Sequence, residues 1–281
     1  MKVRLALAAT ALLAACGGEV PTSPAPSFLV LPGENSPPTV EIVTPTEGQL
    51  FPFTSTAGAP VSLNANLADP DIGDVHTCVI DWEGATSDGV VTEADGTGTC
   101  TGSHVYATPG VYTIQVTVTD PLGESAVDSV MIVVYDPSGG FVTGGGWVIA
   151  EPGSYPGNAA ATGKATFGFV AKYKKGAQVP TGNTEFQFHA VGMNFHSTDY
   201  QWLVVAGRRA QYKGTGTING AGSYQFLLTA IDGNGAGGDG IDRLRMKIWN
   251  DDGVLFDNQQ GAADGDDPAT ALSGGNIVIH K

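Results

Sequence analysis

The sequence predicts an all-β chain: an antiparallel β-sandwich followed by a second β-sandwich or jelly-roll-like domain. Three observations predict it. The 281 residues include 40 glycines and 17 prolines, a turn density that suits many short strands. Apolar residues alternate with period two, most cleanly where Tyr112, Ile114, Val116 and Val118 share one face and Thr113, Gln115, Thr117 and Thr119 the other. Nowhere do apolar residues recur at helical spacing over a useful length.

Charge divides the chain. Ser36 to Tyr135 holds thirteen acids and no Lys or Arg, whereas Asp136 to Lys281 holds thirteen acids against eleven bases, within a formal net charge of −15. Such a surface argues against nucleic acid and anionic lipid headgroups as partners, because phosphate binding depends on Lys and Arg.

At the amino terminus, Lys2 and Arg4 precede an apolar run, Leu5 to Leu13, too short to span a bilayer. Leu13-Ala14-Ala15-Cys16 follows, and the segment resembles the lipobox of bacterial lipoproteins. The resemblance implies a signal peptide over residues 1–15 and a lipidated Cys16 that ties the mature chain to a membrane. Gly17 stands where an aspartate would signal inner-membrane retention, which implies the outer membrane and the cell surface. The alternative is an ordinary secretory peptide. Residues 16–38 are rich in Pro, Ser, Gly and Thr and read as an extended tether, interrupted by the apolar Phe28-Leu29-Val30-Leu31.

The first domain spans residues 39–135. Val40 to Val43 opens it, Val61, Leu63, Ala65 and Leu67 alternate, and Cys78, Ile80 and Trp82 share a face. Thr108-Pro109-Gly110 reads as a type II turn into the Tyr112 strand, and Ala126 to Val134 is the return strand. Asp81-Trp82-Glu83-Gly84, His104-Val105-Tyr106, Pro109-Gly110-Val111-Tyr112 and Val116-Thr117-Val118-Thr119-Asp120 together resemble the PKD domain, an immunoglobulin-like sandwich of bacterial surface proteins. The resemblance implies protein or polysaccharide contact, or simple spacing, and no catalysis. Ala85 to Ser103 reads as a long excursion from that pattern.

With Cys16 assigned to lipid, Cys78 and Cys100 remain in an exported chain, and a disulfide between them is the economical reading; two buried free thiols are the alternative. Asp69-Pro70-Asp71-Ile72-Gly73-Asp74 offers carboxylates to Ca²⁺ or is a solvated turn. His76 and His104 read as turn caps or water-facing side chains.

Residues 136–140, Asp-Pro-Ser-Gly-Gly, read as a hinge that permits motion, and residues 141–281 as the second domain. Its strands are marked by Ala165, Phe167, Phe169 and Ala171; by Phe186, Phe188 and Ala190; by Tyr200, Trp202 and Val204; by Tyr224, Phe226, Leu228 and Ala230; and by Leu244, Met246 and Ile248 opposing Arg243, Arg245 and Lys247. Gly144-Gly145-Gly146-Trp147, Lys164 to Phe169, Gly182 to Phe188, Asn194 to Ser197 and Ile277 to Lys281 are similar to a carboxy-terminal β-module of bacterial surface proteins, often called post-COAP. That resemblance implies architecture and company and no particular chemistry.

Candidate sites lie in this half. Asp232, Asn234, Asp239 and Asp242 sit in a glycine-rich loop that starts like a calcium loop, although Ala236 falls where an EF-hand needs oxygen. Gly237 to Leu244 fits one copy of the calcium-binding nonapeptide repeat. Asp251 and Asp252, with Asp264 to Asp267, are expected either to converge on that loop and complete a Ca²⁺ shell or to lie in solvated turns. Lys172, Lys174, Lys175, Arg208, Arg209, Lys213, Arg243, Arg245 and Lys247 are expected to form a basic stripe for an acidic polysaccharide or the acidic face of the first domain, or to be ordinary outward residues that balance the loop aspartates. Tyr200, Trp202 and Tyr212 make a sugar platform or belong to the core. His189 and His196 give no fixed metal geometry.

No nucleophile elbow, phosphate loop or zinc signature is present, although two carboxylates at a fixed separation are all that glycoside hydrolysis needs, and a hydrolase reading would depend on a specific acid such as Asp239 or Asp242. The leading expectation is therefore a non-catalytic surface lipoprotein whose first domain is a spacer for a carbohydrate- or protein-binding module. A structural envelope component is the alternative, and a secreted hydrolase a lesser one.

Overall fold

A computed structural model describes residues 35–281; the expected signal peptide, Cys16 and the expected tether up to residue 34, with Phe28 to Leu31, lie outside the described residues. Residues 35–281 form one compact unit. The described residues are all-β as expected, apart from two single-turn 3-10 segments at Pro156–Asn158 and His189–Val191. No helix among the described residues is long and apolar enough to cross a membrane.

Nine strands build the first sandwich: β1 (Thr39–Thr44), β2 (Gln49–Pro52), β3 (Ala59–Ala68), β4 (Thr77–Asp81), β5 (Thr86–Asp88), β6 (Val90–Ala94), β7 (Thr97–Tyr106), β8 (Gly110–Thr119) and β9 (Ser125–Tyr135). They form two sheets, ordered β1-β3-β7-β6 and β2-β9-β8-β4-β5. The alternations seen in the sequence bury what they should, with Val61, Leu63, Ala65 and Leu67 facing Ile80, Ile114, Val116 and Val118 across one core.

Cys78 on β4 and Cys100 on β7 are disulfide-bonded with their Cα atoms 6.3 Å apart. The bond staples the two sheets together beside the buried Trp82. Closing a loop of this length contributes about 3 kcal/mol. The Tyr106 hydroxyl adds a second tie, donating to the Trp82 carbonyl at 3.1 Å.

Two expectations need correction here. Ala85 to Ser103 is no excursion, since it supplies β5, β6 and most of β7. Its Thr- and Gly-rich run lacks apolar alternation because Cys100 and the close approach of Gly102 to Ile80 do the packing; a Cβ on Gly102 would run into Ile80 Cδ1. Nor is Thr108-Pro109-Gly110 a type II turn, because Gly110 has no positive φ and already belongs to β8. Glycine is needed there for room, as a Cβ would lie 2.7 Å from the Tyr112 ring, whose hydroxyl donates back to the Thr108 carbonyl at 2.9 Å.

The second half is one nine-stranded antiparallel sheet: β10 (Phe141–Ala150), β11 (Gly163–Lys172), β12 (Thr181–Phe188), β13 (Met193–Ala206), β14 (Arg209–Ile218), β15 (Ala221–Ile231), β16 (Arg243–Asn250), β17 (Gly253–Asp257) and β18 (Gly274–His280). The order is β17-β16-β15-β14-β13-β12-β11-β10-β18. All-β was expected and is found, yet the connectivity is a sequential meander rather than a jelly roll. Each strand is followed by its neighbour, which is the pairing that hairpin connections allow. Only β18 returns, to pair with β10.

The sheet curls about its own core. Phe256 on β17 reaches Phe186 and Phe188 on β12, with ring centroids 4.8 and 5.5 Å apart. Ala190 lies beyond β12, in the second 3-10 turn.

A third apolar cluster joins the two halves. Val111 on β8 and Val133 and Tyr135 on β9 pack against Trp202 and Val204 on β13 and Leu227 on β15. The Tyr135 hydroxyl also donates to Gln178 Oε1 at 2.9 Å. Residues 136–140 therefore connect halves that already hold each other, and the free motion expected of a hinge is opposed by this packing. β9 is buried on both sides at its end, Val130, Ile132 and Val134 in the sandwich core and Val133 and Tyr135 in the junction.

Candidate functional site

The glycine-rich loop between β15 and β16 uses its acids internally. Asp232 accepts the Asn234 and Ile279 amides, both at 3.0 Å. Asp242 accepts the Gly233 amide at 2.8 Å and the Ile277 amide at 2.7 Å. Ile277 and Ile279 are alternate residues of edge strand β18, so the two carboxylates close the seam between that edge and the ends of β15 and β16.

Asp239 is held by Arg243, with Nη2 to Oδ2 at 2.7 Å. The Arg243 hydrogen bonds, with the Ile241 amide, hold its carboxyl well below the usual carboxylate range. A carboxyl so strongly acidic is unsuited to donate a proton as a general acid. Asn234 is exposed on the same loop, whereas Asp251 and Asp252 lie in the β16–β17 turn and line a different surface from Asn234 and Asp242. The structure does not bring Asp232, Asn234, Asp239, Asp242, Asp251 and Asp252 into one oxygen shell. The reason is that amides and a guanidinium, which cost no metal, satisfy the loop's carboxylates first.

Carboxylates do converge at the pole of the first sandwich where the described chain begins. Oxygens of Asp69, Asp74 and Asp120 all lie within 4.8 Å of one another. Asp120 was not foreseen in the sequence, since it comes from the β8–β9 turn. It accepts the Leu122, Gly123 and Glu124 amides and the Asn35 side-chain amide, the last at 2.7 Å. Burial would raise its pKa, but these donors hold it low.

Beside it His76 is buried, not water-facing. Its ring nitrogens meet Asp69 at 2.9 Å and Glu93 at 2.8 Å. His104 instead lies half-buried against Trp82, ring centroids 5.5 Å apart. His189 meets Thr166 Oγ1 at 3.1 Å, and His196 lies 3.6 Å from Glu185.

The outer face of the curled sheet holds the remaining candidates. The bases of β14 and β16 do neighbour one another across β15, with Lys213 opposite Leu227 and Leu227 opposite Lys247. The stripe is already occupied, because the acidic loop after β17 folds over it. Arg245 makes two bonds to Asp257, at 3.1 and 2.9 Å, and also donates to the Ala262 and Ala263 carbonyls. Lys247 reaches Asp264 at 2.7 Å and Arg209 reaches Asp267 at 3.0 Å.

The sugar platform is absent as well. Tyr200, Trp202 and Tyr212 are 8%, 3% and 0% exposed, Tyr200 and Tyr212 sharing Thr184 Oγ1 in the core.

Past the junction the outer face opens into a polar groove of about 490 Å³. Gln201 on β13, Thr215 on β14, Ser223 and Gln225 on β15, and the turn Asn250 to Asp252 line it. Thr215 pairs with Gln225 and Gln225 with Trp249, so the row runs straight across the sheet. Sequence reasoning missed this groove, since its residues come together only through the register of four strands.

Two sheets bridged by a disulfide define an immunoglobulin-like sandwich. Residues 51–133 match the PKD domain family, a non-catalytic immunoglobulin-like module, so this part of the chain is a PKD domain. No curated protein matches the chain.

Proposed function

We propose that the chain is a non-catalytic cell-surface lipoprotein, in which the PKD sandwich is a stalk and the curled sheet is a module that binds a carbohydrate or protein ligand. One observation supports this reading most. Strand β8 carries Val111, which touches the module, at one end and stops beside Asp120, which holds Asn35 at the pole where the described chain begins, at the other. Extended chain from Val111 to Asp120 separates those poles by roughly 30 Å. A stalk needs attachment and cargo at opposite ends, and the third cluster keeps the cargo from swinging freely. The lipid on Cys16 supplies the attachment, and the acidic sandwich keeps the stalk off anionic headgroups.

The test is a panel of glycans and matrix proteins presented to the chain Asn35 to Lys281, with and without Ca²⁺. Retention on one class of ligand is expected. No retention on any, together with recovery of a stable partner from the native envelope, would replace this reading with that of a structural envelope component.

A further inference from the structure

We infer that the groove on the outer face of β13 to β16 is a binding site for a neutral polysaccharide lying side-on. The inference rests on the reading of the curled sheet as a binding module and names the ligand class and the residues.

The lining carries the argument. Gln201 and Ser223 are exposed and Gln225 is half-buried, so their polar ends face the groove rather than the core. Each planar amide offers a donor and an acceptor on one frame, and each hydroxyl offers both. That is the complement of neighbouring sugar hydroxyls, which also donate and accept. Asp252 adds acceptors and is itself positioned, its amide donating to Asn250 Oδ1 at 3.1 Å and its carboxylate accepting from Asn250 Nδ2 at 3.2 Å.

Charge selects against the other glycan class. Asp251 and Asp252 border the groove and no base among the described residues lines it. The ammonium groups of Lys213 and Lys247 are already engaged: each lies 5.3 Å from the Trp249 ring centroid, and Lys247 also pairs with Asp264. An anionic polymer would meet carboxylates without compensation, whereas a neutral one loses nothing.

Shape selects a polymer over a small solute. The groove crosses four adjacent strands, three spacings or roughly 14 Å, and has no roof that would enclose a single ring. A ligand held by several exposed polar contacts gains little from each, so a chain that spans the row binds better than a monosaccharide.

The experiment uses the chain Asn35 to Lys281, which is compact as a unit. Its retention is measured on glucan, mannan, xylan and chitin, with alginate and heparin as anionic comparators. Retention by at least one neutral polymer is expected. Gln201→Ala with Gln225→Ala should weaken it about tenfold, and Ser223→Trp, which fills the groove and leaves both amides, should abolish it. Thr166→Ala, on β11 and outside the groove, should change nothing.

Neutral retention unaffected by these variants, or retention by alginate and heparin alone, would overturn the groove and leave the binding role standing. Retention by no glycan would overturn the groove as well, and the broader reading would fall only if the protein panel were also blank. Melting curves of each variant separate loss of the groove from loss of fold.

Discussion

Tyr200 and Trp202, two residues apart on β13, face opposite sides of their sheet. Tyr200 lies in the core of the curled sheet and Trp202 in the junction with the PKD sandwich. A β-bulge between them shifts the register, and one extra residue is enough to reverse which side a side chain faces. The bulge thereby turns a strand of the module into its docking strand.

Trp202→Ala should uncouple the halves. The truncation removes the largest side chain of the junction, at a cost of about 3 kcal/mol. Calorimetry of the wild type is expected to show one transition, and of the variant two. An unchanged single transition would mean that the junction contributes nothing to cooperativity.

His76 should make the sandwich sensitive to pH. Burial alone would lower its pKa; the hydrogen bonds to Asp69 and Glu93, and their charges, outweigh burial and hold it above the ordinary 6.5. A folded-state pKa raised above the unfolded value gives stability that is complete below about pH 6.5 and is lost as pH rises through the folded-state value. Urea midpoints of wild type should therefore fall across that alkaline interval relative to His76→Gln. Parallel profiles for the two proteins would show that the ring does not titrate there.

The Arg245–Asp257 pair should behave as a buried ion pair. Its members are 1% and 4% exposed, so Asp257→Asn leaves a guanidinium in low dielectric and should cost about 3 kcal/mol. Arg245→Met with Asp257→Leu should recover part of that loss. Recovery stays incomplete because the Ala262 and Ala263 carbonyls lose their donor. Denaturant titration of the three proteins measures both steps.

Asp242→Ala should open the seam at β18. Two amides lose their acceptor, at a cost of about 2 kcal/mol. Since the carboxylate serves amides rather than an ion, the loss should be the same in Ca²⁺ and in chelator. A calcium-dependent rise in melting temperature that vanishes with this variant would restore the metal shell expected from the loop's composition.

The fold was legible wherever one face of a strand meets the core and the other meets water. Ile114, Val116 and Val118 show this; Leu244, Met246 and Ile248 keep the same apolar alternation, although the loop after β17 covers the opposite face at Arg245. β7 was hidden because Thr97 to Ser103 packs through a cysteine and glycines. The docking of the halves left a signal that alternation obscures. Met131 to Tyr135, Trp202 to Val205 and Phe226 to Leu228 are unbroken apolar runs, which mark strands covered on both faces. Asp69, Asp74 and Asp120, and the row from Gln201 to Asn250, meet through register and turn placement that no local pattern encodes. The loop acids were conspicuous in the sequence for their composition, yet composition does not distinguish a metal shell from a set of amide caps.

The pairing of β10 with β18 also sets an order of assembly. Every other strand of the curled sheet lies between them in the chain, so the open side of β10 must wait until residues 274–280 are present. The PKD sandwich, complete at Tyr135, can fold well before that. Until Trp202, Val204 and Leu227 have followed, Val111, Val133 and Tyr135 stand uncovered on a finished domain, an adhesive surface with nothing yet to adhere to. A chain cut before Trp202, Val204 and Leu227 would prolong that exposure indefinitely, and its first hazard would be self-association through a domain that is itself correctly folded.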